Sequence, residues 1–423
     1  MKIMTLNCGS SSVKYSLWDA LPKTKAKLCE GIVERVTTKG GFIRHQLPRA
    51  RETVQYQECP DHATALRLMI DTITSRDYGV IDDLSEISAV AHRVVHGGER
   101  FRTSVRIDDE VLKTIEGYSA LAPLHNPPNL LGINTMMRLT PNVPQIAVFD
   151  TAFFATMPPS SYIYATPYEW YEKYRVRRYG FHGSSHLYVS RRAASLLRQR
   201  PSKVNLITVH IGNGVSITAI KQGKAFDTSL GFTTLPGAVM GTRGGDIDPG
   251  IPFYVMEKEG LTVSEMMAIL HKKSGLLGIT GSYTDRRDIL RLVKQGDARA
   301  KLALDIECYW LRKYIGAYTA ALGTVDAIVF TAGVGENSPV HRARICEGLN
   351  NFGISIEPQK NKSAVKSKGE TDISTPEAKI KVFVIPTNEE LVFVEDTVAI
   401  LEGKYDEHTN FEYSFESPNF VPS

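Results

Sequence analysis

The sequence predicts an α/β protein with a mixed sheet in each half of the chain. One observation is a hairpin at residues 2–18, where a strand, a Gly-Ser turn and an alternating second strand follow one another. The same arrangement returns in the second half, at residues 205–226. Elsewhere strands alternate with helices. Because one hairpin opens each half, the pattern indicates an internal duplication.

Three elements extend the first hairpin. Residues 86–101 are typical of a buried strand that runs into a loop carrying Arg93. A loop at Pro123 leads into a helix, since the prolines that follow stand where a helix needs no N–H donor. A further strand begins at Gln145 and ends at Asp150.

The second half repeats this alternation. A Gly-rich loop at residues 237–250 precedes helices around 262–275 and 297–322. From Asp326 the pattern predicts a strand, a glycine turn and a helix. From Lys381 it predicts a strand and a final helix.

Two segments carry weaker patterns. Residues 357–377 are rich in Lys, Ser and Pro, which predicts a solvated surface loop. The tail after about Asp406 contains four aromatic residues among polar ones, and the pattern leaves open whether it docks or stays disordered.

Composition bounds the class of protein. The 423 residues, 42% hydrophobic and 23% charged, have globular proportions and the length of two or three domains. A net charge of +4 without a dense basic stripe argues against a nucleic-acid partner. No apolar run is long enough to span a bilayer or resembles a secretory signal, so we expect no membrane association. Five scattered cysteines without a CxxC pair argue against disulfides or structural zinc and favour the cytoplasm.

Three glycine turns follow predicted strands. They are GSSS at 9–12, GNG at 212–214 and GVGENS at 333–338. Their backbone N–H groups and small hydroxyls suit phosphate, although none is a Walker A loop or a GxGxxG fingerprint. Any one of them alone is more simply a turn that needs glycine. Three at strand ends favour a phosphate ligand.

Two arginines lie near glycine-rich segments. Arg93 belongs to HRVVHGGER and Arg243 to MGTRGGDIDPG. A guanidinium in such a loop needs either an anionic ligand or a structural carboxylate, for which Asp246 and Asp248 are candidates. Both interpretations are open for either arginine.

Carboxylates and histidines supply further candidates. Asp150 and Glu389 follow strands, where open α/β sheets hold ligands, and one or two carboxylates suffice for a divalent ion shared with phosphate. The alternative for either is capping of the next helix. His182 is suited to donate to an anion, while His186 is more simply a packing residue. A zinc hydrolase built on these two would lack a third ligand.

Nine segments in order identify a resemblance to the acetate kinase family, within the superfamily of acetate and sugar kinases, heat-shock proteins and actin. They are LNCGSSSVK, HRVVHGG, PLHNPPN, FDTAF, RRYGFHGSSH, LITVHIGNGVSITAIKQG, MGTRGGDIDPG, FTAGVGENS and PTNEE. The resemblance runs from Met1 to roughly residue 403.

The resemblance implies a two-domain actin-like, ribonuclease H-like ATPase fold, with duplicated βββαβαβα cores and an interdomain cleft. The first domain would comprise residues 1–150 plus 391–423, and the second, nucleotide-binding domain residues 151–390. It implies reversible in-line transfer of the γ-phosphoryl group of ATP to acetate, giving acetyl phosphate and ADP. It also implies Mg²⁺, which Mn²⁺ can replace in the family, and a cytoplasmic homodimer.

The resemblance also assigns roles to individual residues, according to their positions in the matching segments. The resemblance assigns catalysis to Asp150, Arg93, Arg243 and His182, with His182 and Arg243 stabilising the transition state. It assigns the substrate to Arg93, Val95, Leu124, Phe181 and Thr234, and the metal to Asn7 and Glu389. It adds Ser10, Ser12 and His125 to the active site. The nucleotide set is Lys14, His210, Gly212, Asn213, Gly214, Asp285, Arg286, Arg287, Gly333, Val334, Gly335, Glu336 and Asn337.

Two positions depart from the family pattern. Thr234 replaces a proline of the acyl pocket, which bears on the choice between acetate and propionate, and Arg286 stands where Phe is common, which leaves the base preference open. A propionate or butyrate kinase is therefore the nearest alternative. A sugar kinase fits the apolar pocket residues poorly. A noncatalytic actin-like ATP-binding clamp is the alternative from another class.

Overall fold

The computed structural model describes residues 1–20, 25–123, 125–408 and 411–421. The strands are β1 Lys2–Cys8, β2 Ser12–Ala20, β3 Lys25–Glu34, β4 Phe42–Gln46, β5 Thr53–Tyr56, β6 Ile87–Val94, β7 Val105–Arg106, β8 Gln145–Phe149, β9 Asn205–Ile211, β10 Val215–Lys221, β11 Lys224–Thr228, β12 Ala327–Thr331, β13 Thr371–Asp372 and β14 Lys381–Val384. The helices are α1 His62–Ile73, α2 Asp109–Gly117, α3 Asn126–Leu139, α4 Pro159–Tyr162, α5 Tyr168–Tyr174, α6 Gly183–Leu196, α7 Gly250–Glu259, α8 Val263–Lys272, α9 Gly275–Thr280, α10 Arg286–Lys294, α11 Ala298–Leu322, α12 Ala332–Asn337, α13 Pro339–Cys346, α14 Pro358–Ser363 and α15 Glu389–Leu401.

The chain divides into two compact units. Unit 1 comprises Met1–Ala155 and Asn388–Ser423, and unit 2 comprises Thr156–Thr387. Within the described residues of unit 1 the sheet order is β5-β4-β3-β2-β1-β6-β8-β7, and within those of unit 2 it is β11-β10-β9-β12-β14-β13.

The two sheets repeat one design, as the duplicated hairpins predict. In unit 1, β1 pairs antiparallel with β2 and parallel with β6, which pairs parallel with β8. In unit 2, β9 pairs antiparallel with β10 and parallel with β12, which pairs parallel with β14. The predicted mixed α/β fold with duplicated cores is therefore confirmed.

The burial of their apolar side chains explains why these strands are central. Met4 and Leu6 of β1 are buried in a core that also contains Leu66 and Met69 of α1 and Met136 of α3. In unit 2, every residue of β12 is buried, as expected for a strand covered on both faces. No helix in the described part of the chain is long and apolar enough to cross a bilayer.

Two local predictions need correction. The predicted glycine turn after β12 is the short helix α12, whose first residue, Ala332, has a left-handed φ of +63°. The predicted solvated loop at 357–377 is wrong in part, since it contains α14, whose N-terminus is capped by the Glu357 carboxylate. Asn361 and Ile373 within it are buried.

The described tail residues dock within unit 1 around a buried carboxylate. Asp396 of α15 is fully buried and accepts hydrogen bonds from Ser104 Oγ at 2.6 Å and Tyr413 Oη at 2.8 Å, with Tyr405 Oη at 3.3 Å. His408 Nδ1 lies 2.9 Å from Tyr413 Oη and 3.8 Å from the carboxylate. Burial raises the pKa of Asp396 to about 7, although the three hydroxyl donors favour its ionised form.

This docking predicts a pH-dependent stability that Asp396→Asn removes. An unfolded Asp titrates at about 3.9, so between about pH 4 and 7 the folded chain binds the proton more tightly. The contribution is present below pH 4 and is lost as pH rises to 7, by up to roughly 4 kcal/mol. Thermal unfolding from pH 4.5 to 7.5 should therefore show wild-type losing stability relative to Asp396→Asn.

The exposed Asp71 of α1 provides the control, because Asp71→Asn should follow the wild-type profile. Parallel pH profiles for wild-type and Asp396→Asn would contradict the assignment.

Candidate functional site

Arg93 and Asp150 form a two-pronged ion pair in unit 1. The parallel pairing of β6 with β8 sets Arg93 opposite Val148, and Asp150 follows β8 directly. Arg93 Nε donates to Asp150 Oδ1 at 2.8 Å and Nη2 donates to Oδ2 at 2.7 Å. Burial alone would lower the pKa of Arg93, but the Asp150 charge outweighs it and raises that pKa. A carboxylate held on both oxygens orients the guanidinium.

Glu389 opens α15 close to this pair. The Asn388 side chain caps the helix by accepting from Leu391 N at 3.1 Å, so the capping alternative does not apply to Glu389. Burial raises the pKa of Glu389, with Asp150 adding to the effect and the Arg93 charge opposing it. A half-buried carboxylate in this state gains from a divalent cation.

The β1–β2 hairpin brings its own candidates to the same region. Asn7 lies opposite Lys14 across the ladder, and the Lys14 charge acts on Glu389. Ser10 is exposed in the turn, which the Gly9 N to Ser12 O hydrogen bond at 2.8 Å closes.

The remaining unit 1 candidates lie beside the two strands that carry these groups. Val95 is buried just after β6, and His125 directly precedes α3. Leu124 lies outside the described residues.

Two asparagines of α3 are support residues that the sequence patterns did not single out. Asn129 Nδ2 donates to Cys8 O at 2.8 Å, and its Oδ1 accepts from Val95 N at 3.1 Å. Asn126 Nδ2 donates to His96 O at 3.0 Å. One side chain therefore ties the GSSS turn to the segment after Arg93. The only sequence signal for these two asparagines was that both belong to the segment PLHNPPN.

In unit 2, three histidines stack and hydrogen-bond beside the GNG turn. His182 takes a left-handed φ of +60° immediately before α6, and its ring stacks on that of His210 with centroids 4.2 Å apart. Ser185 Oγ lies 2.9 Å from His210 Nδ1. These contacts fix the plane of the His182 imidazole.

A serine hydroxyl joins His182 to His186. Ser216 Oγ lies 2.9 Å from His182 Nδ1 and 2.7 Å from His186 Nε2, while His186 Nδ1 lies 2.7 Å from Thr208 Oγ1. Burial lowers the pKa of His186 well below its ordinary value, and His210 adds to the effect. Because a hydroxyl has one proton, this chain couples the tautomer of His182 to that of His186. His186 is buried as expected, but its link to His182 had no sequence signal.

Arg243 meets the same turn. Its Nη1 donates to Thr234 O at 2.8 Å, and burial lowers its pKa to about 10. A Cβ built on Gly214 would lie 2.8 Å from Arg243 Nη2 and 3.5 Å from His182 Nε2, so both groups reach one glycine.

The structural-carboxylate alternative is wrong for Arg243 as far as Asp246 is concerned. Asp246 accepts instead from Gly237 N at 2.8 Å and from the Tyr314 hydroxyl. Arg243 therefore keeps a polar but uncharged partner in Thr234 O, which suits a cation that receives an anionic ligand.

The three glycine-rich segments do not all lie in the same unit. GSSS belongs to unit 1, whereas GNG and GVGENS lie at one edge of the unit 2 sheet. They meet there because β9 and β12 are parallel neighbours with His210 opposite Thr331. A Cβ on Gly212 would lie 3.9 Å from that of Ala332. Within α12, Asn337 Nδ2 donates to Gly333 O at 2.9 Å.

Further members of the predicted nucleotide set belong to these segments. Val334 and Gly335 lie in α12, and Glu336 Oε1 accepts from Thr387 N at 3.0 Å. Phe181, which is predicted to contact the substrate, is buried and directly precedes His182 in the sequence.

At the start of α10 the predicted nucleotide residues differ in exposure: two lie on the surface and one is buried. Asp285 caps the helix and pairs with Arg287 at 2.5 Å on the surface, where the Arg287 side chain is 90% exposed. Arg286 turns inward to Glu307 of α11. Asn213 lies near it, since its O accepts from Gly241 N at 3.2 Å and a Cβ on Gly241 would approach both side chains.

The donor sets bear on metal chemistry. In the described ranges no three His, Cys, Asp or Glu side chains cluster as a ligand set. Both nitrogens of His186 already face hydroxyls, so it is poorly placed as a zinc ligand. Asn7 and Glu389 supply oxygen donors, the type that Mg²⁺ prefers with few protein ligands and several waters.

Known proteins resemble this chain over nearly its whole length. The model of the acetokinase family matches residues 2–395. The acetate kinase of Geobacter sulfurreducens is 57% identical over 422 residues, which is 100% of both chains. The crystal structure of Porphyromonas gingivalis acetate kinase superposes with a TM-score of 0.88 at 46% identity, covering 95% of this chain and 99% of that one. A propionate kinase structure from Francisella tularensis gives 0.86 at 42% identity, covering 93% and 98%.

Proposed function

This chain belongs to the acetokinase family, and from that premise we propose that it catalyses reversible transfer of the γ-phosphoryl group of ATP to acetate. The products are acetyl phosphate and ADP. The acceptor is a carboxylate with a pKa of roughly 4–5, so it is already ionised at neutral pH. The enzyme must therefore align two anions rather than deprotonate a nucleophile.

The ion pair between Arg93 and Asp150 carries this proposal. A sugar kinase needs a carboxylate base for the acceptor hydroxyl, whereas both oxygens of Asp150 accept from Arg93. Asp150 then orients Arg93, and among the described residues no hydrogen bond uses Arg93 Nη1, so its two N–H donors are available to the acetate carboxylate. This arrangement supports a carboxylate acceptor over a hydroxyl acceptor.

His182 and Arg243 are proposed to stabilise the transferring phosphoryl group. Their Nε2 and Nη2 atoms both approach the Cβ position of Gly214, as two donors to one equatorial charge would. The Ser216 hydroxyl holds His182 through Nδ1, which leaves Nε2 as the ring nitrogen on the Gly214 side.

We assign Mg²⁺ to Asn7 and Glu389. These two side chains would hold the ion through oxygen donors, and it would supply positive charge that offsets the charge developing on the phosphoryl group. The raised pKa of Glu389 supports the assignment, because a nearby cation stabilises the ionised form of a half-buried carboxylate. The nucleotide is assigned to unit 2, at the GNG turn after β9 and at α12, which follows β12. ATP as substrate and five free buried cysteines support a cytoplasmic location.

We also propose that the protein is a homodimer. The α7–α8 surface exposes Ile251, Phe253 and Tyr254 at 49%, 72% and 62%, and Val263 at 69%. Apolar side chains concentrated in this way mark interaction surfaces, and a second copy is the partner that every solution of this chain contains.

The first prediction of the proposed function concerns the acceptor. With ATP, Mg²⁺ and hydroxylamine, acetate should give hydroxamate because hydroxylamine traps acyl phosphates, while a hexose should consume no ATP. Propionate should react measurably, since one methylene is worth only ~1–3 kcal/mol and Thr234 replaces a proline of the acyl pocket. Faster turnover of propionate than acetate would favour the alternative kinase. Absence of hydroxamate from every acid would favour the noncatalytic clamp.

A second prediction uses Gly214→Ala. The added methyl would displace the Arg243 and His182 donors, and kcat should fall by on the order of 10²-fold or more. Thermal stability should stay near wild-type, since Gly214 has no left-handed φ and the atoms it meets belong to the ends of side chains, not to the backbone. Gly316→Ala in α11, where a Cβ meets nothing within 4 Å, is the matched control and should keep full turnover. Equal kcat in the two variants would argue against the assigned donors.

A third prediction addresses the dimer. Phe253→Glu should shift the protein toward monomer in light scattering at micromolar concentration, because it buries a charge in the proposed interface. Tyr56→Glu, at a side chain that is 79% exposed on β5 of unit 1, should leave the mass unchanged. A dimeric Phe253→Glu protein would count against the α7–α8 surface.

A further inference from the structure

Arg286 forms a buried ion pair that sequence motifs did not suggest. Its side chain is only 6% exposed and that of Glu307 only 1% exposed. Arg286 Nε and Nη2 donate to the same oxygen, Glu307 Oε1, at 3.1 and 2.8 Å. A guanidinium at this depth without its carboxylate would be strongly destabilising.

Glu307 connects three helices through this pair. It lies on α11, Arg286 opens α10, and His341 of α13 has Nε2 3.3 Å from Glu307 Oε2, poorly aligned for a hydrogen bond. His341 Nδ1 lies 2.6 Å from Oγ of Ser338, the last residue of the GVGENS segment. Burial would raise the pKa of Glu307, but the Arg286 charge and His341 together lower it. Glu307 is therefore an ionised anchor for Arg286.

The remaining amine of Arg286 faces the GNG turn. A Cβ built on Gly241 would lie 3.6 Å from Arg286 Nη1 and 2.3 Å from Asn213 Oδ1. Gly241 N in turn donates to Asn213 O at 3.2 Å. Within the part of the chain that the structure describes, the hydrogen bonds of Arg286 use Nε and Nη2, and none uses Nη1. A nine-tenths buried guanidinium thus directs an amine that has no protein acceptor among the described residues toward Gly241, beside the turn assigned to phosphate.

We propose that Arg286 binds a phosphate oxygen of the nucleotide through Nη1, and that Glu307 is the positioning residue that aims it. The inference deepens the proposed function and rests on it, since it adds a ligand atom and a support residue to the nucleotide site. A phosphate is the acceptor we favour, because the amine lies beside Asn213 rather than beside the exposed Asp285–Arg287 pair. A desolvated guanidinium also gains most from an anionic oxygen.

The experiment compares ADP with adenosine by isothermal titration calorimetry. The variant is Arg286→Met with Glu307→Met, because replacing both members of a buried pair by apolar side chains of similar volume preserves the fold, whereas removing one does not. ADP affinity should fall by roughly 10- to 100-fold, the value of one charge-assisted hydrogen bond, while adenosine affinity stays unchanged. Arg291→Met, an exposed arginine of α10 paired with Asp288, is the matched control.

Each outcome decides the proposal. An equal loss for ADP and adenosine would overturn the phosphate contact in favour of the base or ribose. Unchanged ADP affinity in a folded double variant would overturn any contact of Arg286 with the nucleotide. Because binding is measured without an acceptor, it is independent of the hydroxamate assay, so failure of acetate phosphorylation is recognised separately.

Glu307→Gln tests the positioning role alone. The amide retains one acceptor for the guanidinium but loses the charge that fixes it, so KM for ATP should rise severalfold while kcat and KM for acetate hold. Glu307→Asp should recover part of the affinity for ATP. Loss of the buried charge lowers thermal stability in either case, so a purely structural role is recognised by a change of all three constants together, and that result would contradict positioning.

Discussion

The parallel pairing of β9 with β12 is the constraint on which the unit 2 site depends. It fixes His210 opposite Thr331, so the segments that leave the two strands emerge at one edge of the sheet although they are far apart in sequence. The antiparallel partner β10 then sets Ser216 opposite His210 and within reach of His182. Unit 1 uses the same design, since the parallel pairing of β6 with β8 brings Arg93 to Asp150. Register, set by buried apolar strands, therefore decides which polar groups meet.

The cations of the two units are satisfied differently. Arg93 has a carboxylate partner that raises its pKa, whereas burial lowers the pKa of Arg243 to about 10 with Thr234 O as its hydrogen-bond acceptor. Arg342 repeats the second case, because it is fully buried, donates to Gly335 O and other uncharged oxygens, and also has a pKa lowered to about 10. Unit 2 therefore carries two guanidinium charges near its glycine-rich segments, and both guanidinium groups donate to uncharged oxygens. A polyanionic ligand is the natural complement to such charge.

Much of this could be predicted from sequence, because the information was local. Alternation and glycine spacing predicted the two hairpins and the mixed sheets, and the prolines before Asn129 marked the start of α3. What was missed depends on contacts distant in sequence. Nothing near Glu307 indicates that it anchors Arg286, and the buried Asn361 in a Lys-rich segment is explained by its hydrogen bonds with Arg342 and with Pro339 O. The roles carried over from the family remain predictions, as does the composition of the acyl pocket around Thr234.

Helix α11 shows why such distant contacts matter for chemistry. Tyr314 donates to Asp246, which accepts from Gly237 N and so holds the loop that carries Arg243. Two turns earlier on the same helix, Glu307 holds Arg286. Both partners lie on one rigid 25-residue helix, so the loop of Arg243 and the start of α10 keep a fixed spacing. A transfer that depends on aligning charges within a fraction of an ångström gains more from such a common support than from a further ligand-binding group.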